Sequence, residues 1–169
     1  MNAIIINAAP GVGKSTLLKL LEERLSEGYA LVDGDDVGRT IPLVKSVEWL
    51  NLMQDNIVSC AKNYKKYNIK TLIIAFVFPT KERLQRLSNL LKDEKCLVYH
   101  ITLICDPNEL KKRIRIRNSQ KLISIPRALE INNKIKELKS NYSVDTTNKS
   151  PDEVADVICE KIMKIERVK

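Results

Sequence analysis

Residues 8–16 read Ala8-Ala9-Pro10-Gly11-Val12-Gly13-Lys14-Ser15-Thr16, between a short apolar run, Ala3-Ile4-Ile5-Ile6, and a helical pattern beginning near Leu17. Strand, glycine-bearing loop, Gly-Lys-Ser-Thr and helix, in that order, are the parts of a phosphate-binding P-loop. Gly11 and Gly13 let the backbone take positive φ, so that several N–H groups converge on one anion. The helix that starts at Gly13-Lys14 adds the positive end of its dipole. Lys14 supplies a mobile cation for the β- and γ-phosphates, and the Ser15 hydroxyl is suited to a Mg²⁺ coordination sphere.

The pattern has one departure. Ala8 stands where the consensus has its first glycine, a change that an extended backbone at that position tolerates. A glycine turn capping an ordinary helix is the plain alternative. Against it stand the β-branched run before the loop and the amphipathic helix after it, and the expectation is a site for a nucleoside triphosphate, with residues Pro10, Gly11, Val12, Gly13, Lys14, Ser15 and Thr16 around its phosphates.

Strand-like and helix-like segments alternate along the rest of the chain. Periodicity predicts strands at Ala3–Asn7, Tyr29–Val32, Lys70–Phe78, Cys96–Cys105 and Tyr142–Asp145. Helices are predicted from Thr16 to about Ser26, with Gly28 as the stop, and from Ser46 to about Tyr67, with Val47, Leu50, Met53, Ile57 and Cys60 inward. Further helices are expected from Pro79-Thr80 to Leu91, from Pro107 to Arg117, from Pro126 to about Ser140, and after Ser150-Pro151 with Val154, Val157, Ile158 and Ile162 inward. Such alternation predicts an α/β fold, one parallel sheet with helices on both faces, and a ligand site beyond the carboxyl ends of the strands. The absence of repeats or linker-like stretches predicts a single domain over residues 1–169.

At that rim Asp33-Gly34-Asp35-Asp36 is the second informative cluster. Three carboxylates beside a P-loop are placed to hold Mg²⁺ through water and to accept a proton from a hydroxyl. The plain alternative is a solvated acidic turn with Asp36 as a helix cap. Arg113 and Arg117 lie one helical turn apart and share a face, whereas Arg115 points elsewhere. They suit the charge that develops on a departing phosphoryl group, and the polar, unpatterned stretch Asn118–Ser124 suits a lid near residues 111–126. Thr146-Thr147-Asn148 follows the last strand, where adenine commonly meets backbone. His100 is expected to be structural, and Trp49 and Met53 to be core residues.

Composition bounds the partners. From Lys111 to Lys139 there are ten Lys or Arg against two Glu, a surplus equal to the formal charge of +8 for the whole chain. This basic segment suits bound polyphosphate; sparse aromatics and the lack of a standard nucleic-acid module make nucleic acid an unfavoured partner. No apolar run is long enough to span a bilayer, the first strand begins almost at once, and the four scattered cysteines suggest reduced thiols, so a cytoplasmic address is expected. Oligomeric state has no signature here.

Together, the P-loop, Asp33-x-Asp35, Leu110-x-x-Arg113-x-x-x-Arg117 and Asp145-Thr146-Thr147 before a Ser-Pro-x-Glu-Val helix resemble the small P-loop kinases. That group includes nucleoside monophosphate kinases, shikimate and gluconate kinases, adenylylsulfate kinase and antibiotic phosphotransferases. The resemblance spans nearly the whole chain. It implies a three-layer α/β/α sandwich with a five-stranded parallel sheet ordered 2-3-1-4-5, ATP as donor, Mg²⁺ as cofactor and a small-molecule hydroxyl or phosphate as acceptor. It further implies that Lys14 and Ser15 bind phosphate and metal, that Asp33 lies near Mg²⁺, and that Asp35 binds or deprotonates the acceptor. Arg113 and Arg117 would clamp phosphates in the lid, and Asn148 would lie at the nucleotide. The strand ending at Phe78 carries no aspartate, unlike motor and transport ATPases, and Pro151 breaks the guanine-reading Asn-Lys-x-Asp pattern. A nucleotide-binding regulator and a kinase of nucleic-acid ends stay open beside the small-molecule kinase.

Overall fold

The computed structural model describes residues 1–41, 46–117 and 123–167. Five strands, β1 (Asn2–Ala8), β2 (Tyr29–Asp33), β3 (Thr71–Phe76), β4 (Leu97–Ile104) and β5 (Tyr142–Asp145), form one sheet of order β2-β3-β1-β4-β5. Every pairing is parallel, with Ile4 opposite Ile73 on one side and Tyr99 on the other. The helices are α1 (Lys14–Arg24), α2 (Gly34–Val37), α3 (Val47–Lys66), α4 (Lys81–Asp93), α5 (Pro107–Arg117), α6 (Ile125–Lys136) and α7 (Pro151–Arg167).

Alternation along the strands divides the core in two. Ile4 and Ile6 of β1, with Ile73, Ile101 and Leu103, face a cluster built from α1, α5, α6 and α7. Ala3 and Ile5, with Leu72, Ile74 and Phe76, face α3 and α4. The central strands are buried on both sides, as their unbroken apolar runs require. The result is the three-layer α/β/α sandwich with the expected strand order.

Several local expectations are corrected. Helix α1 begins two residues earlier than Thr16 and ends at Arg24; Gly28, at φ +96°, serves the turn into β2 instead of the helix stop. Asp36 is not the cap of the acidic turn. Asp33 is, its carboxylate accepting from the Asp35 N–H at 2.9 Å, while the three residues that follow are helical. The buried face of α3 is rotated relative to the predicted one: Trp49, Met53, Gln54, Ile57, Val58 and Ala61 are buried, whereas Val47 is exposed. Trp49 turns inward because its ring packs 6.1 Å from that of Phe76 and its indole N–H donates to the Gly38 carbonyl.

β3 leaves the sheet after Phe76 because Phe78 is claimed by another partner, described below. β4 is covered fully only from Ile101, since β5 pairs with Ile101–Ile104 alone, and Leu97 is exposed. Helix α6 stops at Lys136, short of Ser140. His100 is structural as expected: its Nε2 lies 2.8 Å from the Ser88 hydroxyl of α4, and burial lowers its pKa. The terminal helix opens with reciprocal capping, Ser150 Oγ accepting from Glu153 N and the Glu153 carboxylate from Ser150 N.

Candidate functional site

The strands' carboxyl ends bring four elements to one rim: the loop after β1, the acidic cap after β2, α5 after β4 and the turn after β5. Gly11 has φ +87° and Gly13 φ +120°, the left-handed side of the map that glycine tolerates. They differ in surroundings. A Cβ on Gly11 would sit 2.6 Å from Ile114 Cγ1, so the loop rests directly on α5, whereas a Cβ on Gly13 would meet nothing within 4 Å. Gly13 therefore fronts open space at the start of α1, a helix with no side-chain cap on its N-terminal N–H groups. An uncapped N-terminus behind an open glycine loop fits an oxyanion such as a polyphosphate.

Lys14 arches back over the loop, its Nζ donating to the Ala8 carbonyl at 2.8 Å and the Ala9 carbonyl at 3.2 Å. Ser15 and Thr16 are exposed on the first turn of α1; Pro10 is half-buried and Val12 buried. Asp33 is half-buried, and burial raises its pKa, with Asp35 and Asp36 adding to the rise. The Asp35 N–H bond and the Lys14 charge oppose it. Asp35 and Asp36 are exposed on α2, and Asp36 pairs with Arg39 at 2.8 Å.

A Mg²⁺ ion fits this donor set in one particular way. Among the described residues no three His, Cys, Asp or Glu side chains converge on a cation position, and the end of β3 offers only Phe76, Val77 and Phe78. What the rim provides is the hydroxyls of Ser15 and Thr16 at the start of α1 and the carboxylates of the Asp33–Asp36 turn. Mg²⁺ is held in this sparse manner when phosphate oxygens and waters complete its shell.

Beside the P-loop lies a cavity of about 280 Å³ lined by Gly11, Val12, Gly13, Thr16 and Leu17 on one side and Arg117, Lys149, Pro151 and Val154 on the other, with Leu103 and Arg113 also in its wall. Its apolar members suit a flat ring and its cations suit phosphate. Arg117 lines it and is exposed. Arg113 is engaged with protein: Nε donates to Glu109 at 3.0 Å, Nη1 to Thr146 Oγ1 at 3.1 Å and Nη2 to the Thr146 carbonyl at 2.7 Å. Asn148, in a left-handed turn at φ +55°, lines a neighbouring depression with Asp106, Glu109, Lys112 and Asp145; its chain neighbour Lys149 reaches the cavity instead. Of the predicted lid, residues 118–122 lie outside the described residues, leaving α5 and the start of α6 as its flanks.

Two supporting residues escaped the sequence reading. Asn7, 1% exposed, accepts from the Phe78 N–H and donates to the Phe78 carbonyl, both at 2.8 Å. Asn132, 2% exposed, does the same for Cys105, at 3.3 and 2.8 Å. Each side-chain amide thus fixes the residue just past a strand end. The available signal was a lone amide inside an apolar pattern, Ile4-Ile5-Ile6-Asn7 and Leu129-Asn132-Ile135, since a buried amide needs partners.

The chain belongs to the AAA_18 family, described as an AAA domain, whose model matches residues 4–139. No curated protein matches it. Among solved structures it is similar to the tunicamycin resistance protein of Deinococcus radiodurans, at 25% identity over 95% of each chain with a TM-score of 0.72. It shares its fold with a gluconokinase of Sinorhizobium meliloti (13% identity, 97% and 93% of the two chains, TM-score 0.66). It also shares that fold with the APS kinase of Mycobacterium tuberculosis (14% identity, 96% and 97%, TM-score 0.62). The fold is that of a small P-loop kinase.

Proposed function

We propose that this P-loop protein is an ATP-dependent phosphotransferase that moves the γ-phosphoryl of ATP to a hydroxyl or phosphate oxygen of a small molecule. The observation that carries the proposal is the placement of the phosphate loop after β1 and the Asp33–Asp36 turn after β2 at the same carboxyl-end rim, with a cavity of apolar and cationic walls beside the loop. A nucleotide pocket alone serves a regulator equally well. A carboxylate cap exposed beside the γ-phosphate position is what an acceptor requires in addition.

In this reading the loop Pro10–Thr16 and the N-terminus of α1 hold the phosphates, and Lys14 swings from the Ala8 and Ala9 carbonyls to them. Arg117 adds charge from the flank of the lid. Ser15 and Asp33 would hold Mg²⁺, which would supply charge neutralisation on the phosphates. The acceptor oxygen forms a bond to the γ-phosphorus as the bond from that phosphorus to the bridging oxygen of ADP breaks. The proton of an acceptor hydroxyl passes to the Asp35 carboxylate. The adenine ring lies between Leu17 and the Lys149–Pro151 turn. The whole chain works as one unit with its lid near residues 111–126, in the cytoplasm, without nucleic acid.

A panel of nucleosides, nucleotides, gluconate, shikimate, adenylylsulfate and aminoglycosides, scored for acceptor-dependent release of ADP, tests this. One acceptor is expected to raise ADP release well above the basal rate. Intact ATP binding with no stimulation by any acceptor would favour a nucleotide-binding regulator. Asp35→Asn is expected to lower turnover about 10²–10⁴-fold while ATP affinity stays within about threefold. An active Asp35→Asn enzyme would remove the assigned base.

One observation favours a narrower second reading. A neighbour at 25% identity and a TM-score of 0.72 is a tunicamycin resistance protein, which makes an antibiotic a reasoned acceptor class. Tunicamycin therefore belongs in the same panel, with phosphorylated product sought by mass.

A further inference from the structure

We propose that Arg113 is a positioning residue: it latches the turn after β5 onto α5 and the phosphate loop, and so sets the base side of the nucleotide pocket without touching phosphate. This rests on the nucleotide reading above and refines it.

All three guanidinium nitrogens of Arg113 already donate to protein. Nε pairs with the Glu109 carboxylate one helical turn back, with both side chains about a quarter exposed. Nη1 and Nη2 grip the hydroxyl and the carbonyl of Thr146, and Nη1 also approaches the Val12 carbonyl of the P-loop at 3.5 Å. Thr146 is itself buried and anchored, its N–H and hydroxyl both donating to the Ile104 carbonyl at the end of β4. From Thr146 the chain turns through Asn148 into Lys149 and Pro151, which wall the cavity, and the Lys149 N–H donates to the same Thr146 carbonyl. One planar fork therefore joins α5, the P-loop and the β5–α7 turn. To reach a phosphate it would have to give up a carboxylate and two well-made bonds to Thr146. Arg117, one turn onward, is exposed, and among the described residues it makes no comparable set of hydrogen bonds.

A lysine at this position keeps the charge but cannot span Glu109 and both Thr146 oxygens, because its donors radiate from a point. Titrating the full chain with ATP and with inorganic tripolyphosphate separates the two roles. Arg113→Lys is expected to weaken ATP binding about tenfold, the size of one lost charge-assisted hydrogen bond. Tripolyphosphate, which has no base, should bind within twofold of the original. Thr146→Val, altering the other end of the latch, is expected to weaken ATP about threefold and again spare tripolyphosphate. The double variant should be no worse than Arg113→Lys alone, because both changes break one unit. Lys14→Ala, by contrast, should weaken both ligands together. Equal loss of ATP and tripolyphosphate in Arg113→Lys would make Arg113 a phosphate ligand and overturn the latch. Unchanged ATP affinity would overturn it too. The Thr146→Val arm decides the matter if Arg113→Lys does not fold. Original protein that binds neither ligand would overturn the nucleotide reading itself, and the latch with it.

Discussion

The turns after β3, β4 and β5 are each gripped at two backbone or side-chain atoms by one polar side chain: Phe78 by Asn7, Cys105 by Asn132, Thr146 by Arg113. After β2 the hold falls elsewhere. Trp49 and Asn56 bond the far end of α2, at the Gly38 and Val37 carbonyls, and Asp35 and Asp36 stand exposed. Polar clamps of this kind hold a backbone turn to one geometry. The turn after β2 is held only at its far end and leaves two carboxylates on the surface of a four-residue helix; in the function proposed above, the fixed turns serve the nucleotide and the exposed pair serves the acceptor.

The largest break in this contrast is expected from Gly11→Ala. The substitution places a Cβ 2.6 Å from Ile114 and forces a positive φ, so roughly 2–4 kcal/mol of stability should be lost, together with nucleotide binding. Gly13→Ala is strained at φ but meets no neighbour, so its thermal or denaturant unfolding should shift less while nucleotide binding suffers similarly. Comparable unfolding shifts at the two positions would mean that the loop does not rest on α5.

Next comes Asn7→Leu, which leaves the buried N–H and carbonyl of Phe78 without their partner. Denaturant unfolding should show a loss of roughly 2–6 kcal/mol, about 1–3 for each orphaned group. A loss within 0.5 kcal/mol, as for a surface site, would deny the clamp its part in the fold.

A smaller and opposite effect is expected at Asp33. Burial raises its folded-state pKa, so the native state holds that proton more tightly than the unfolded chain does. Above the usual carboxylate range the charged, half-buried Asp33 therefore costs stability, and the cost is relieved as pH falls through the raised pKa. Asp33→Asn keeps the helix cap. It should melt slightly higher than the original at pH 7, with the gap closing in acid, while metal-dependent turnover falls. A gap that widens in acid would reverse the assigned sign.

Arg39→Ala should do least. Its pair with Asp36 lies on side chains 81% and 64% exposed, and melting should move by no more than a surface pair is worth, under about 1 kcal/mol. A large change in turnover would instead bring Arg39 into the acceptor site.

Much of the architecture was legible in the chain itself. The run Ala3-Ile4-Ile5-Ile6 before Gly-Val-Gly-Lys-Ser-Thr fixes a buried strand, a loop and a helix start by local chemistry, and the alternation that follows dictates a parallel sheet with covered faces. Lys14 and Asp33 were legible because their residue types and their position at strand ends announce a rim site. The face of α3 was legible in part. Trp49, Met53 and Ile57 are buried as expected, whereas Val47 fits the same helical stripe and is exposed, and packing of Trp49 on Phe76 selects the phase. The capping residue of the acidic turn was not legible, since Asp33 and Asp36 are equally competent caps and the structure uses Asp33.

What residues 8–16 determined by themselves is a helix start suited to an anion, because glycine freedom, a helix N-terminus and a lysine are local properties of the backbone. What only the tertiary structure decided is which distant groups stand around it. Arg113 and Arg117 are equivalent in sequence, one helical turn apart, and both wall the cavity. Thr146, 33 residues from Arg113 along the chain, takes up the Arg113 guanidinium, whereas Arg117 stands exposed. Hydrogen-bond partners that far apart are set by strand order, and no local pattern in the chain carries that information.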